Sequence, residues 1–177
     1  MTTLTETQAL PDGVWIADYV HSTIGFAVAY MAGTFTGTFS DFEANVDDGV
    51  LKGSATVASI QVKDPNLEAH LQAPDFFDAE RHPELSFVSN SVEREGDKVT
   101  INGEITIKGR TEPVVLAGVI TAPMADPYGG TRFGLKLETT IDRTLFGVSW
   151  NNPLPNGDPA LSKDVVLIAD LQLAKKG

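Results

Sequence analysis

The feature that most constrains this chain is the alternation of apolar and polar residues in short stretches. In the segment 101–108, Ile101, Ile105 and Ile107 lie at odd positions, and Asn102, Glu104, Thr106 and Lys108 separate them. A period of two puts one set of side chains on the core face of a strand and the other in water. The pattern recurs in residues 24–30, 42–46, 133–141 and 165–173. It predicts β-strands with one buried face.

Turn residues separate these stretches at short intervals. The turn signals are Asp47-Asp48-Gly49, Glu95-Gly96-Asp97, Lys108-Gly109-Arg110 and Gly129-Gly130. Further strands are expected at Val14–Asp18, Leu51–Val62, Leu85–Arg94 and Val114–Ala122. Eight or more strands with short connections predict an all-β antiparallel meander, closed as a barrel or as a two-sheet sandwich. Closure removes the exposed strand edges that a long open sheet would present.

Length and composition limit what such a chain can be. Its 177 residues suit a single β domain, for which we expect residues 13–177, preceded by a flexible arm over the polar residues 1–12. The net charge of −11 disfavours nucleic-acid binding, because phosphate backbones are bound through Lys and Arg. The absence of cysteine excludes disulfides and thiolate chemistry.

The sequence shows no membrane or export signal. The first residues have neither a basic region nor an apolar stretch, and no segment approaches the roughly 20 apolar residues of a membrane span. We therefore expect a cytoplasmic protein without stable membrane insertion.

One segment, residues 64–83, breaks the alternation. We expect Asn66 to cap a short helix that Pro74 ends, and Asp75 to cap a second turn carrying Phe76 and Phe77. The segment also contains two of the three histidines, but His70 and His82 lack the spacing of a metal site. No nucleophile elbow or phosphate-binding loop is present. No catalytic residue, metal ligand or cofactor is therefore assigned, and the segment is expected to cap one end of the barrel.

Several segments together resemble the YceI-like family of lipid- or polyisoprenoid-binding proteins. The resemblance is specific in "HLQAPDFFDAERHPELSF", residues 70–87, followed by "INGEITIKGRTEPVVL", residues 101–116. Matching pieces occur in the family's order from Trp15 to Val166. The resemblance implies an extended, lipocalin-like antiparallel barrel of about eight strands that holds a long-chain apolar ligand. That ligand is a polyisoprenoid, an isoprenoid quinone or a fatty-acyl lipid. The resemblance also implies association as homodimers.

Strand phase predicts which residues would contact such a ligand. Phe39 and Phe42 are out of phase, but a bulge near Ser40 would put both on the inner face. With the cap included, the predicted ligand-binding residues are Phe26, Val28, Phe39, Phe42, Leu71, Phe76, Phe77, Phe87, Ile105, Phe133, Leu135 and Leu137. Arg81, His70 and Arg143 are candidate donors to a polar head group.

Two alternatives stay open from the residues alone. The chain could be an enzyme acting on an apolar substrate inside the barrel, although mainly Thr139 and Ser89 supply polar groups of inward phase. It could also be an interaction module whose barrel is filled by its own side chains, because an eight-stranded barrel can be filled or hollow.

Overall fold

A computed structural model describes residues 10–151 and 153–176 of the chain. It consists mainly of antiparallel strands in a closed eight-stranded barrel, with one short helix, which confirms the predicted fold class. The strands are β1 (Val14–Ala17), β2 (Thr23–Tyr30), β3 (Gly33–Phe39), β4 (Phe42–Asp47), β5 (Val50–Thr56), β6 (Ile60–Gln61), β7 (Glu84–Glu95), β8 (Lys98–Ile107), β9 (Arg110–Ile120), β10 (Met124–Ala125), β11 (Thr131–Asp142) and β12 (Leu161–Lys175). The helix is α1 (Pro65–Leu71).

Three of the eight barrel positions are each occupied by two strands that follow one another in the chain. These pairs are β1 with β2, β3 with β4, and β5 with β6. β1 and β2 both pair with β12, β4 pairs with β1, and β3 pairs with β2. In the same way β5 pairs with β4, and β6 pairs with β3. The remaining positions are β7, β8, β9, β11 and β12, and the β11–β12 and β12–β1 ladders close the barrel.

The interruptions are short polar corners. A 3₁₀ turn at Tyr19–His21 separates β1 from β2, and the Asp18 side chain accepts a hydrogen bond from Val20 N at 2.9 Å. The irregularity predicted as a bulge near Ser40 is a break between β3 and β4. A second 3₁₀ turn at Val57–Ser59 separates β5 from β6.

The core has two parts along the barrel axis. At the end where β1 and the last residues of β12 lie, which we call the filled end, Trp15, Phe133, Leu135 and Leu173 pack closely. The opposite end, which we call the hollow end, carries α1, the β8–β9 turn and the β11–β12 connection. Its walls are built from a second apolar cluster that includes Phe26 and Phe39.

The N-terminal boundary differs from the expected one. Residues 1–9 of the predicted arm lie outside the described residues. Leu10, expected in the arm, is only 3% exposed and packs in the core of the filled end. The Trp15 indole N–H donates to the Asp12 carbonyl at 3.0 Å. The packed part of the chain therefore begins before residue 13.

Candidate functional site: an apolar cavity in the barrel

The hollow end of the barrel encloses a cavity of about 370 Å³. A volume of this size lies within the range of small-molecule sites, about 300–1,000 Å³. Its wall is built mainly by aliphatic and aromatic side chains from the strands, from α1 and from the segment between β11 and β12. An interior of this kind favours apolar ligands, because it offers few hydrogen bonds.

Nine of the twelve predicted ligand-binding residues border this cavity. They are Phe26, Val28, Phe39, Leu71, Phe76, Phe77, Phe87, Ile105 and Leu137. The strands bring six of them to the inner face, and the segment before β7 brings the other three over the open end.

The other three predicted residues do not border the cavity. Phe133 and Leu135 are buried in the filled end, where the Phe133 ring makes an edge contact with Trp15 at 4.8 Å between centroids. Phe42 has the inward phase but lies half-buried beside the break in β3–β4, with its ring 5.7 Å from that of Tyr19. Strand phase predicts the face of a residue, but it does not predict its height along the barrel.

Sequence reasoning missed part of the wall. The residues concerned include Tyr30, Phe35, Ile107, Ile141, Phe146, Val148, Trp150, Leu161, Val165 and Leu167. Ile107 and Ile141 continue the alternation of Ile105 and Leu137 and could have been found from it. Residues 143–150 have no strand alternation, so no sequence pattern indicated that they close the wall.

Two glycines make room for phenylalanine rings of the cavity wall. A Cβ atom at Gly37 would lie 2.7 Å from Phe26 ring carbons, and one at Gly103 would lie 2.5 Å from Cζ of Phe87. Both distances are far below van der Waals contact. A side chain at either position would collide with the ring, and one at Gly103 would also lie 2.3 Å from the Val88 carbonyl oxygen, so these glycines allow the close packing of this wall.

The segment between β6 and β7, residues 62–83, covers the hollow end, and we call it the mouth segment. The Asp64 carboxylate accepts from Asn66 N at 2.9 Å, so Asp64 and not Asn66 caps α1, with Pro65 in the first turn. The expected second helical turn is instead a series of tight turns, in which Phe77 N donates to Leu71 O at 3.0 Å. These turns hold Leu71, Phe76 and Phe77 against the cavity.

Three rings form an aromatic group at the mouth. The His70 imidazole makes edge contacts with Phe76 at 4.8 Å and with Trp150 at 5.2 Å between centroids. Phe76 and Trp150 are 5.3 Å apart. His70 Nε2 is 3.7 Å from the nearer Asp75 carboxylate oxygen, which is too long for a hydrogen bond. The imidazole therefore packs between the two rings with the Asp75 carboxylate nearby.

The two arginines considered as head-group donors are placed differently. Arg143 borders the cavity, but its guanidinium donates to the carbonyl oxygens of Ser162, Val148, Trp150 and Leu161 at 2.7–3.2 Å. Burial lowers the pKa of Arg143 from its ordinary value. Arg81 is exposed, 4.0 Å from the Asp78 carboxylate, and does not border the cavity. Because its donors bind these carbonyl oxygens, Arg143 joins residues of the β11–β12 connection to the start of β12.

Lys108, in the β8–β9 turn, forms a hydrogen bond between the barrel and the mouth segment. Its ammonium group donates to Pro74 O at 2.6 Å and to Gly147 O at 3.0 Å. It therefore joins the mouth segment to the β11–β12 connection.

The described residues contain neither a three-ligand metal group nor a helix that could span a membrane. Among those residues, no group of three or more His, Asp or Glu side chains is arranged to hold a metal ion. None of the described helices has the length and apolar character needed to cross a membrane.

The sequence has recognisable relatives. Residues 15–173 match the family model described as the YceI-like domain. A UPF0312 protein of Photorhabdus laumondii is 32% identical over 129 residues, covering 68% of this chain and 67% of that protein. A UPF0312 protein of Pseudomonas putida is 31% identical over 137 residues, covering 72% of this chain and 71% of that protein.

Solved structures share the barrel. BcnA of Burkholderia cenocepacia superposes with a TM-score of 0.76 at 23% identity, covering 88% of this chain and 98% of BcnA. A polyisoprenoid binding domain from Saccharophagus degradans, implicated in plant cell wall breakdown, gives a TM-score of 0.67 at 10% identity. That match covers 93% of this chain and 99% of the domain. At these identities the likeness establishes the fold.

Proposed function

The chain belongs to the YceI-like domain family, and we propose that it binds a long-chain apolar lipid inside its barrel, for carriage or storage. The observation that carries the proposal is the apolar cavity of about 370 Å³ in the hollow end. The polyisoprenoid-binding neighbour of the same fold supports it. The ligand class is a polyisoprenoid, an isoprenoid quinone or a fatty-acyl lipid.

Apolar burial alone supplies the affinity. Each methylene group moved from water into such an interior gains about 0.8 kcal/mol. A chain of about 20 carbons therefore gains roughly 16 kcal/mol before the loss of its own freedom is subtracted. Binding driven by apolar burial needs no charged contact with the ligand.

The charges around the cavity favour an uncharged head group. Among the described residues that border it, Arg143 is the cation, and its donors are occupied by backbone carbonyls. The Asp64 carboxylate also borders the cavity. A phosphate or free carboxylate would lose its hydration there without a free cation to compensate. A quinone, alcohol, amide or ester fits, with His70 as its hydrogen-bonding partner.

Binding is proposed in preference to catalysis or to a purely structural role. The cavity argues against a barrel filled by its own side chains. Among the described residues that border the cavity, the polar side chains are those of Tyr30, Ser54, Asp64, His70, Ser86 and Arg143, and the rest of the wall is mainly aliphatic or aromatic. The cytoplasmic location and the homodimer stay predictions.

The test combines lipid extraction with native mass spectrometry of the purified protein. We expect a co-purified lipid, or uptake of an added prenyl alcohol, at one molecule per chain. Val28→Trp places an indole in the cavity and should lower occupancy at least about tenfold, equivalent to about 1.4 kcal/mol. Val20→Trp, the same exchange at an exposed position of the Tyr19–His21 turn, is the matched control. Repeated absence of lipid together with no uptake of added ligand would refute the proposal.

A further inference from the structure

The barrel wall has a seam between β9 and β11. β9 pairs with β8 over ten residue pairs, and β11 pairs with β12 over eleven. β9 and β11 pair with each other over only four residue pairs, from Leu135↔Ile120 to Glu138↔Ala117. Beyond that point the two strands separate, although each stays paired with its other neighbour.

A cleft of about 560 Å³ lies at this seam. β9 lines it with Glu112, Pro113, Val114 and Val115, and β11 lines it with Thr139, Thr140, Ile141 and Asp142. Asn90, Asn102 and Gly103 add to the lining, so polar side chains alternate with the apolar ones. Leu145, in the 3₁₀ turn Arg143–Phe146, lies on its rim. Val115 and Leu145 are 51% and 52% exposed, so the rim offers apolar surface to the solvent.

The cleft and the cavity share a partition. Ile141 and Phe146 border both of them, and both side chains are buried. A single layer of side chains therefore separates the apolar interior from the outer cleft. No pairing between β9 and β11 bridges the seam at these two side chains.

We propose that a prenyl or acyl chain too long for the cavity passes between Ile141 and Phe146, and that its terminal part lies in the cleft against Val114, Val115 and Leu145. This inference rests on the proposed function. A short chain stays within the cavity. A long chain continues burying methylene groups on the apolar rim, while water still reaches the strand edges from the open side of the cleft.

Single cysteines provide the test, because the chain contains none of its own. Val115→Cys and Leu145→Cys report on the cleft. Ile16→Cys on β1, which does not border the cleft and is 46% exposed, is the control. The probes are farnesol, with three isoprene units, and solanesol, with nine, because both carry the same uncharged alcohol. Each variant is saturated with one alcohol, its occupancy is measured by native mass spectrometry, and the rate of maleimide labelling is recorded.

Solanesol should slow labelling of both cleft cysteines about tenfold, because thiol reactivity follows exposure. Farnesol should leave their labelling unchanged, and Ile16→Cys should react equally in all samples. Solanesol bound at full occupancy with both cleft cysteines still reactive would overturn this inference and leave the proposed function intact. Protection by farnesol equal to that by solanesol would also overturn it. If neither alcohol binds, the proposed function fails and this inference fails with it.

Discussion

At the scale of residues, Arg132 joins separate parts of the chain near the filled end. Its Nη1 donates to Asp18 Oδ2 at 2.6 Å and to Gln172 Oε1 at 2.8 Å, and its Nε donates to Asp126 Oδ2 at 2.9 Å. The Arg132 guanidinium holds the pKa of Asp18 and of Asp126 below the usual aspartate range. The His21 imidazole, 2.8 Å from Asp18 Oδ2, also lowers the pKa of Asp18.

This network predicts acid-sensitive stability. Folding favours the ionised form of both carboxyls, so their contribution is fully present above the ordinary aspartate pKa of about 4. It is lost as the pH falls from that value toward the lower pKa of the folded state. Asp126→Asn should therefore lower the melting temperature at neutral pH by a few degrees, and the difference from the wild type should shrink below a pH of about 4. Thermal unfolding across a pH series measures this.

The control for that series is Glu95→Gln, which removes an exposed carboxylate at the end of β7. A difference between Asp126→Asn and the wild type that stays constant down to the lowest pH would show that Asp126 acts by packing and not by its charge.

At the scale of elements, Lys108 donates one hydrogen bond to the mouth segment, at Pro74 O, and a second to Gly147 O of the β11–β12 connection. Lys108 reaches Pro74 O from a turn in which its own φ is +53°. Lys108→Met keeps an unbranched side chain, shorter than lysine by its terminal nitrogen, and removes both donations. Loss of a partly exposed hydrogen bond should destabilise the closed mouth segment by roughly 1 kcal/mol. Amide exchange in residues 72–82 should therefore accelerate several-fold, and bound lipid should dissociate faster. Hydrogen exchange and ligand-release kinetics measure these effects.

Lys98→Met is the matched control, because Lys98 is an exposed lysine at the start of β8, at the filled end. Unchanged exchange in residues 72–82 of the Lys108→Met variant would show that packing of Leu71 and Phe76 alone holds the mouth segment closed.

At the scale of the whole molecule, one end of the barrel is solid and the other is hollow. Phe133 is enclosed on all sides in the filled end, whereas Phe39 borders the cavity. Phe133→Ala should lower the free energy of unfolding by about 3–5 kcal/mol, the usual cost of a deleted core ring. Phe39→Ala should cost less in the lipid-free protein, since part of its surface already faces empty space. Urea unfolding of both variants compares them, and equal losses would show that the two ends are packed alike.

Much of the wall could be predicted from alternation, because a strand residue faces inward or outward according to its parity. Phe26, Val28, Ile105 and Leu137 were found in this way, and they border the cavity. Phe133 and Leu135 have the same parity as Leu137 on β11 and pack in the same cluster, yet of the three only Leu137 also borders the cavity. Residues 143–150 carry Phe146 and Trp150 into the wall through irregular backbone, which has no period to detect.

The sequence by itself determined the antiparallel strands, their inner faces, the break in alternation before β7 and the family. These are local properties, set by side-chain parity, turn residues and short motifs. Only the tertiary structure decided where the barrel is hollow, which donors are occupied and where β9 and β11 separate. Each of these depends on contacts between residues far apart in the chain, such as Arg143 with Leu161 or Ala117 with Glu138. Such contacts arise from strand register and packing volume, and no periodicity along the chain encodes them.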